Sequence, residues 1–228
     1  MAEIDCTGRA VREINVELKG LLADGETEVL LRNPGARHNL GVAILQPAKL
    51  TFDGSVGYYC GGMMDGPQVE IRGSAGWGLA ESMMGGTVCV RGHAGNGAAA
   101  AIRGGTVVIH GNAAARAGVS MKGGLVLIAG DCGYMAGFMA QRGTLIVCGN
   151  AGEGFADSMY ETVCFVGGAI AELGNDAVVE DPTSDDRAFL ESSLRLHGIP
   201  NRPFKKVVAG RKLWNFDKTE SKTWREAF

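Results

Sequence analysis

Residues 77–95 read WGLAESMMGGTVCVRGHAG and residues 96–114 read NGAAAAIRGGTVVIHGNAA. Three further units, ARAGVSMKGGLVLIAGDCG, YMAGFMAQRGTLIVCGNAG and EGFADSMYETVCFVGGAIA, follow to Ala171 without insertion. The period is 19 residues, and Gly35, Gly54, Gly73, Gly92, Gly111, Gly130, Gly149 and Gly168 keep it. A fixed short period means one structural unit stacked on copies of itself.

Each unit carries a short apolar run, such as Val88-Cys89-Val90, Val107-Val108-Ile109 and Val126-Leu127-Ile128. β-Branched residues dominate these runs, and a glycine of the constant phase closes each one. That pattern predicts a short strand and then a turn at positive φ. Nineteen residues do not hold a strand, an amphipathic helix and two loops. They fit one coil of a parallel β-helix, with strands about 4.8 Å apart and a rod of roughly 38 Å for eight coils. The left-handed hexapeptide helix needs an 18-residue coil, and parallel crossovers are right-handed by default, so the expectation is a right-handed β-helix.

Two columns point inward together because strand side chains alternate faces. They are Val69, Val88, Val107, Val126, Leu145, Cys164 and Ile71, Val90, Ile109, Ile128, Val147, Val166. A third apolar column, Met64, Met83, Ile102, Met121, Ala140, Met159, closes the core from another side. Ser74, His93, Asn112, Asp131 and Asn150 form a polar turn column whose side chains can bond neighbouring backbone. The middle strand column faces out and changes from Glu70 and Cys89 to Val108, Leu127, Ile146 and Phe165. Bare apolar patches of that kind are rare, so these four are expected to meet the C-terminal tail, a partner protein or both.

The flanks read as caps and attachments. Residues 1–30 are assigned to an N-terminal cap, 31–171 to the repeats and 172–228 to a C-terminal helix and arm. Thr7 as N-cap, Val11, Ile14, Leu18, Leu21 and Leu22 at helical spacing, and Gly25 predict a helix over 7–24. It would cover the first coil's strand edge. Thr183 with Asp186 is a capping-box pattern, and Leu190, Leu194 and His197 continue a second helix that Gly198 and Pro200 end. Beyond Asn201, the aromatics Phe204, Trp214, Phe216, Trp224 and Phe228 suit an extended arm anchored on the rod or another subunit, with Trp214 and Trp224 as candidate contacts.

Composition narrows the function. Hydrophobic residues are 46% of the 228 and the net charge is −3, which does not favour a polyanionic partner. No run of eighteen apolar residues occurs, and the start MAEIDCTGRA lacks a basic and then apolar leader, so the expected location is the cytoplasm. Cys60, Cys89, Cys132, Cys148 and Cys164 fall in apolar columns and read as small buried hydrophobes. His93 and His110 read as structural or solvated, and no C-x-x-C, G-x-S-x-G or Walker pattern is present. The period itself explains the GNGAAA run at 95–100, without a nucleotide. Glu81, Asp131, Glu153 and Asp157 lie in different columns or distant coils and read as solvated surface acids. No catalytic, cofactor-binding or metal-binding residue is assigned.

The phased G-x-x-G-x-G turns, Gly73-Ser74-Ala75-Gly76-Trp77-Gly78 and Gly92-His93-Ala94-Gly95-Asn96-Gly97, resemble the G-x-G-x-G β-helix domain of glutamate synthase. Residues 11–15 (VREIN) and 33–40 (NPGARHNL) are similar to the entry segment of its stand-alone form, found as the small subunit of N-methylglutamate synthases. The tail joins the likeness through Asp181-Pro182-Thr183 and Arg195-Leu196-His197-Gly198-Ile199. The resemblance implies a scaffolding subunit without catalytic residues. Its partners would be a glutamine-amidotransferase-like subunit and an FMN-binding, glutamate-synthase-like subunit, the latter a candidate holder of an iron–sulfur cluster. The assembly would make N-methylglutamate and ammonia from methylamine and glutamate. The alternatives are the β-helix subunit of a glutamate synthase or of formylmethanofuran dehydrogenase, and, in another class, an independent glycan-acting β-helix enzyme.

Overall fold

The structure is a computed structural model that describes residues 1–213. Eight strands recur along the chain: β2 (Glu28–Arg32), β3 (Lys49–Asp53), β4 (Gln68–Ile71), β5 (Thr87–Val90), β6 (Thr106–Ile109), β7 (Lys122–Ile128), β8 (Arg142–Val147) and β9 (Val163–Val166). Each pairs in parallel with the next, so seven turns of chain separate β2 from β9. The protein is mostly β, a parallel β-helix with two helices among the described residues.

Register follows the sequence columns. Val88 pairs with Val107, Val107 with Val126 and Val126 with Leu145, and all four are fully buried. The Ile71 column and the Met64 column are buried as well. Each such side chain stabilises the rod by about 1.5–3 kcal/mol relative to exposure.

The phase glycines serve a purpose other than the expected positive φ. From Gly73 to Gly168 none lies in the left-handed region. What requires glycine is close approach of the preceding coil: a Cβ on Gly111 would sit 2.6 Å from the Gly92 carbonyl oxygen. On Gly130 it would collide with Asn112 Oδ1 and lie 2.8 Å from the Gly111 oxygen. The obstructing side chains are the polar turn column itself. Ser55 and Ser74 Oγ, His93 Nδ1, and Asn112, Asp131 and Asn150 Oδ1 each accept the backbone N–H one coil onward, at 2.6–3.1 Å.

Positive φ is found instead at the opposite corner, at every second residue: Gly78, Ala80 and Ser82, then Gly97, Ala99 and Ala101. Each non-glycine there costs about 1–2 kcal/mol of backbone strain. Hydrogen bonds to both neighbouring coils offset it, as when Gly78 N–H donates to Asn96 O (2.8 Å) and Ala80 N–H to Cys60 O (2.9 Å).

The first coil departs from the period. Glu28 pairs with Lys49, twenty-one residues on, because the first coil holds one extra residue within Asn33-Pro34-Gly35-Ala36 and another between Ile44 and Lys49. Gly54 therefore corresponds to Asn33 rather than Gly35. Arg37 ties the insertion down through the carbonyls of Arg9, Asn33 and Pro34.

Both ends are closed by elements the repeat does not announce. β1 (Ala2–Asp5) adds a parallel rung to β2, so the first thirty residues hold a strand as well as a helix. Helix α1 (Val11–Ala23) starts at N-cap Ala10, because Thr7 bonds Asp5 instead, and it buries Ile14, Leu18 and Leu22. Asn33 Nδ2 and the Thr7 groups hold the Asp5 carboxyl low, at about 2. At the other end β11 (Lys205–Ala209) runs antiparallel on β9, and β10 (Ala177–Glu180) antiparallel on β11. Helix α2 (Ser184–Leu196) has the expected box, with Thr183 Oγ1 accepting Asp186 N–H at 3.1 Å.

Close approach and backbone strain separate in a pair of variants. Gly130→Ala loses about 1–3 kcal/mol to overpacking against the neighbouring coil. Gly97→Ala, with open space around its Cβ and φ +68°, loses about 1–2 kcal/mol, to backbone strain alone. Urea denaturation of the two variants reads the difference.

Candidate functional site

The coil presents two long outer faces. On the strand face the N-terminal rungs carry an ion-pair ladder, with Arg32 between Glu3 and Asp53, Arg72 on Asp53 (3.2 Å) and Arg91 on Glu70 (2.8 Å). These pairs are exposed and add little stability. Further along, Val108, Leu127, Ile146 and Phe165 are buried, and the cover belongs to the same chain. Leu190 and Leu194 of α2, Ile199 and Phe204 complete that second apolar cluster. Two polar clasps hold the cover. Lys206 Nζ bonds Asp186 at 2.8 Å, and Arg202 Nη1 donates to Cys148 O at 2.9 Å. Of the expected contact residues, these four lie under the helix, and Trp214 and Trp224 lie outside the described residues.

Among the described residues nothing covers the corner face. Tyr58 stacks on Trp77 at 5.2 Å between ring centroids, with His38 on Tyr58 at 4.2 Å. His38 Nδ1 also accepts the Tyr58 N–H at 2.9 Å. Trp77 is 52% exposed, and Tyr59, Met63 and Met84 are exposed on the same two coils. Tyr58 and Trp77 share one column, 19 residues apart, but Tyr59, Met63 and Met84 lie in others, so no single column of the sequence displays the patch. A second cluster, Tyr134, Met135, Phe138 and Met139, lies on the same face three to four coils on, with the Arg116 guanidinium 6.0 Å from the Phe138 centroid.

Polar groups with chemical potential are tied into structure. His93 Nδ1 is an acceptor in the coil-to-coil ladder. Asp157, read from sequence as a surface acid, is only 7% exposed. It accepts the Asn175 N–H (3.0 Å), Asn175 Nδ2 (2.8 Å) and the Ser158 hydroxyl (2.6 Å), because the chain after it folds back one residue short of the period. Asp131 accepts the Asn150 N–H. All six cysteines are free thiols. Burial pushes Cys132 up to about 12 and Cys148 to about 11, which leaves both thiols protonated and unreactive at neutral pH. Cys89 is the exception to full burial, half-exposed at the edge of the α2 footprint.

Beside Cys89 the ladder ends in a cluster. Arg91 Nη1 lies 3.3 Å from His110 Nε2 while its Nη2 pairs with Glu70. Burial, then repulsion from Arg91 and His197, lowers the His110 pKa, and burial lowers that of His197 at the C-cap of α2. Among the described residues no group of three or more His, Cys, Asp and Glu is placed to hold a metal ion. None of their helices is long and apolar enough to cross a membrane. A shallow cleft of about 360 Å³ lies between Arg187 and Glu191 of α2 and Arg202 and Phe204.

No family model matches this chain, and no curated protein matches its sequence.

Two outcomes follow from the covered face. A charge at the centre of the seam, Leu127→Asp, leaves an unpaired carboxylate under α2 and costs at least about 3 kcal/mol in urea denaturation. The histidines set a pH dependence. Their folded pKa values lie below the ordinary 6.5, so the unfolded chain binds protons first. Their contribution to stability is complete above pH 6.5 and declines as pH falls through the window beneath it. The His110→Asn/His197→Asn variant shows a smaller drop in urea midpoint between pH 7.5 and 5.5 than the wild type.

Proposed function

We propose that this chain is the scaffolding β-helix subunit of a cytoplasmic glutamate-synthase-like complex, an N-methylglutamate synthase, and carries no catalytic residue itself. In this reading a glutamine-amidotransferase-like subunit and an FMN-binding synthase-like subunit assemble on the rod. They convert methylamine and glutamate to N-methylglutamate and ammonia. The reading rests on the phased G-x-x-G-x-G turns with the entry and tail motifs that resemble the stand-alone domain.

The observation that carries the scaffold role is the exposed cluster of Tyr58, Tyr59, Met63, Trp77 and Met84 on a rigid corner. Aromatic residues and methionine are enriched where protein surfaces meet. The mutual stacking of His38, Tyr58 and Trp77 holds the rings in place before contact, which lowers the entropy of ordering them. That stacking also occupies ring faces that a sugar would need, and it leaves ring edges outward. A protein surface suits the cluster better than a glycan.

Purification of the tagged chain from its native cell tests the proposal. Recovery of an amidotransferase-like and a synthase-like partner with a flavin spectrum and methylamine-dependent turnover is the expected result. Trp77→Asp reduces partner recovery at least several-fold while the isolated chain keeps its melting temperature. A partner carrying a pterin-bound metal would reassign the chain to a formylmethanofuran dehydrogenase. A partnerless chain would overturn the scaffold role.

A further inference from the structure

The corner face changes character between its two aromatic clusters. Two coils there place Asn96, Gly97, Ala101, Ala115 and Ser120 at positions where the clusters carry rings and thioethers. Trp77 and Tyr134 bound this low stretch, three coils and so about 14 Å apart at the spacing of a parallel ladder. His38, Tyr58 and Trp77 stack along one column, so their planes lie across the rod and the last ring face is turned toward Asn96. The indole leans over the next coil, where a Cβ on Gly95 would lie 2.6 Å from Trp77 Cδ1. Charge sets the same two coils apart. From Gly92 to Gly130 the chain carries Arg103, Arg116 and Lys122 and no aspartate or glutamate. Elsewhere on the rod Arg32, Lys49, Arg72, Arg91 and Arg142 each meet a carboxylate. Arg103, Arg116 and Lys122 are exposed and, among the described residues, form no ion pair.

We propose that an acidic α-helix of a partner protein crosses the rod here, seated on the small residues between Trp77 and Tyr134, with its carboxylates toward Arg103, Arg116 and Lys122. A helix with its side chains is about 10–12 Å across, which suits the gap between the two rings. An extended strand gains nothing on this floor, because the amides already bond coil to coil. Gly97 N–H donates to Ala115 O at 2.9 Å and Ala101 N–H to Val119 O at 2.8 Å. A helix satisfies its own backbone and needs only side-chain contact. Trp77 and Tyr134 then bury against its flanks as aromatic anchors do near the centre of an interface. The three unpaired cations select for acid and against basic or neutral segments. The inference rests on the scaffold reading, since it needs a partner, whichever enzyme that partner serves.

Carbodiimide coupling joins an amine to a carboxylate in direct contact, so it reads this seam in the complex purified through the tagged full chain. The expected result is a cross-link from Lys122 to an aspartate or glutamate of one partner segment, located by peptide mass spectrometry. In the Arg103→Lys variant position 103 couples too, to a carboxylate within about four residues of the first, as one helical turn allows. Arg103→Glu/Lys122→Glu lowers partner recovery at least tenfold. Ala100→Trp does the same by filling the floor, although it adds apolar surface. Both isolated chains keep their melting temperature. Arg12→Glu/Lys19→Glu makes the same charge change at exposed positions of α1 and recovers partners as the wild type does. Wild-type recovery by the charge-reversed chain, or a complex without the Lys122 cross-link, overturns the helix docking and leaves the scaffold role standing. A wild-type chain that recovers no partner overturns both.

Discussion

The rest of this structure depends on one contact, the backbone of each coil against the backbone of the next. Along the strands it is an ordinary parallel ladder. At the turn, the side chains of Ser74, His93, Asn112, Asp131 and Asn150 replace part of that ladder and accept the amide of the following coil. They fit only because the residue stacked against them is glycine. Polar column and glycine column are therefore one device, and a Cβ added on the glycine side would collide with the polar side chain and backbone of the preceding coil. The same stacking tolerates left-handed alanine, serine and methionine at the far corner, where hydrogen bonds to both neighbours fix the backbone.

An insertion anywhere in such a stack shifts every column that follows it, unless the extra residues bulge out at one place. The first coil does this twice, once at Asn33–Ala36, where Arg37 binds the carbonyls of Asn33 and Pro34, and once between Ile44 and Lys49. The two ends solve the open-edge problem differently. At the start a parallel strand and an amphipathic helix lie over the core. At the finish the chain reverses, and β11 and β10 close the sheet antiparallel.

The two outer faces have separate fates for a reason of shape. The strand face is flat, and its apolar half is long enough for one helix, so α2 settles there under the Lys206–Asp186 and Arg202–Cys148 clasps. The corner face is stepped by alternating backbone conformations, and its large side chains gather at two places instead of forming a stripe. Rings stacked between coils, as at Tyr58 and Trp77, are held by the rod's own spacing. A contact surface made this way is as rigid as the core beneath it.

Much of this was legible in the sequence by itself. The 19-residue period, the three buried columns, the polar turn column, the end of α1 at Gly25 and the Thr183 box of α2 all follow from spacing and side-chain type, because identical coils impose identical environments. Local pattern could not supply what depends on non-repeating neighbours. The strand β1, the antiparallel closure by β10 and β11, the burial of Asp157 and the half-exposure of Cys89 are set by contacts between segments far apart in the chain. The phase glycines make the point most directly. Their spacing was plain, but their reason, clearance for the coil next door rather than a left-handed turn, exists only once the coils are stacked. The choice of α2 as the cover for Val108, Leu127, Ile146 and Phe165 is likewise tertiary. The column called for an apolar partner, and only the path of the chain after Pro182 decided which one it met.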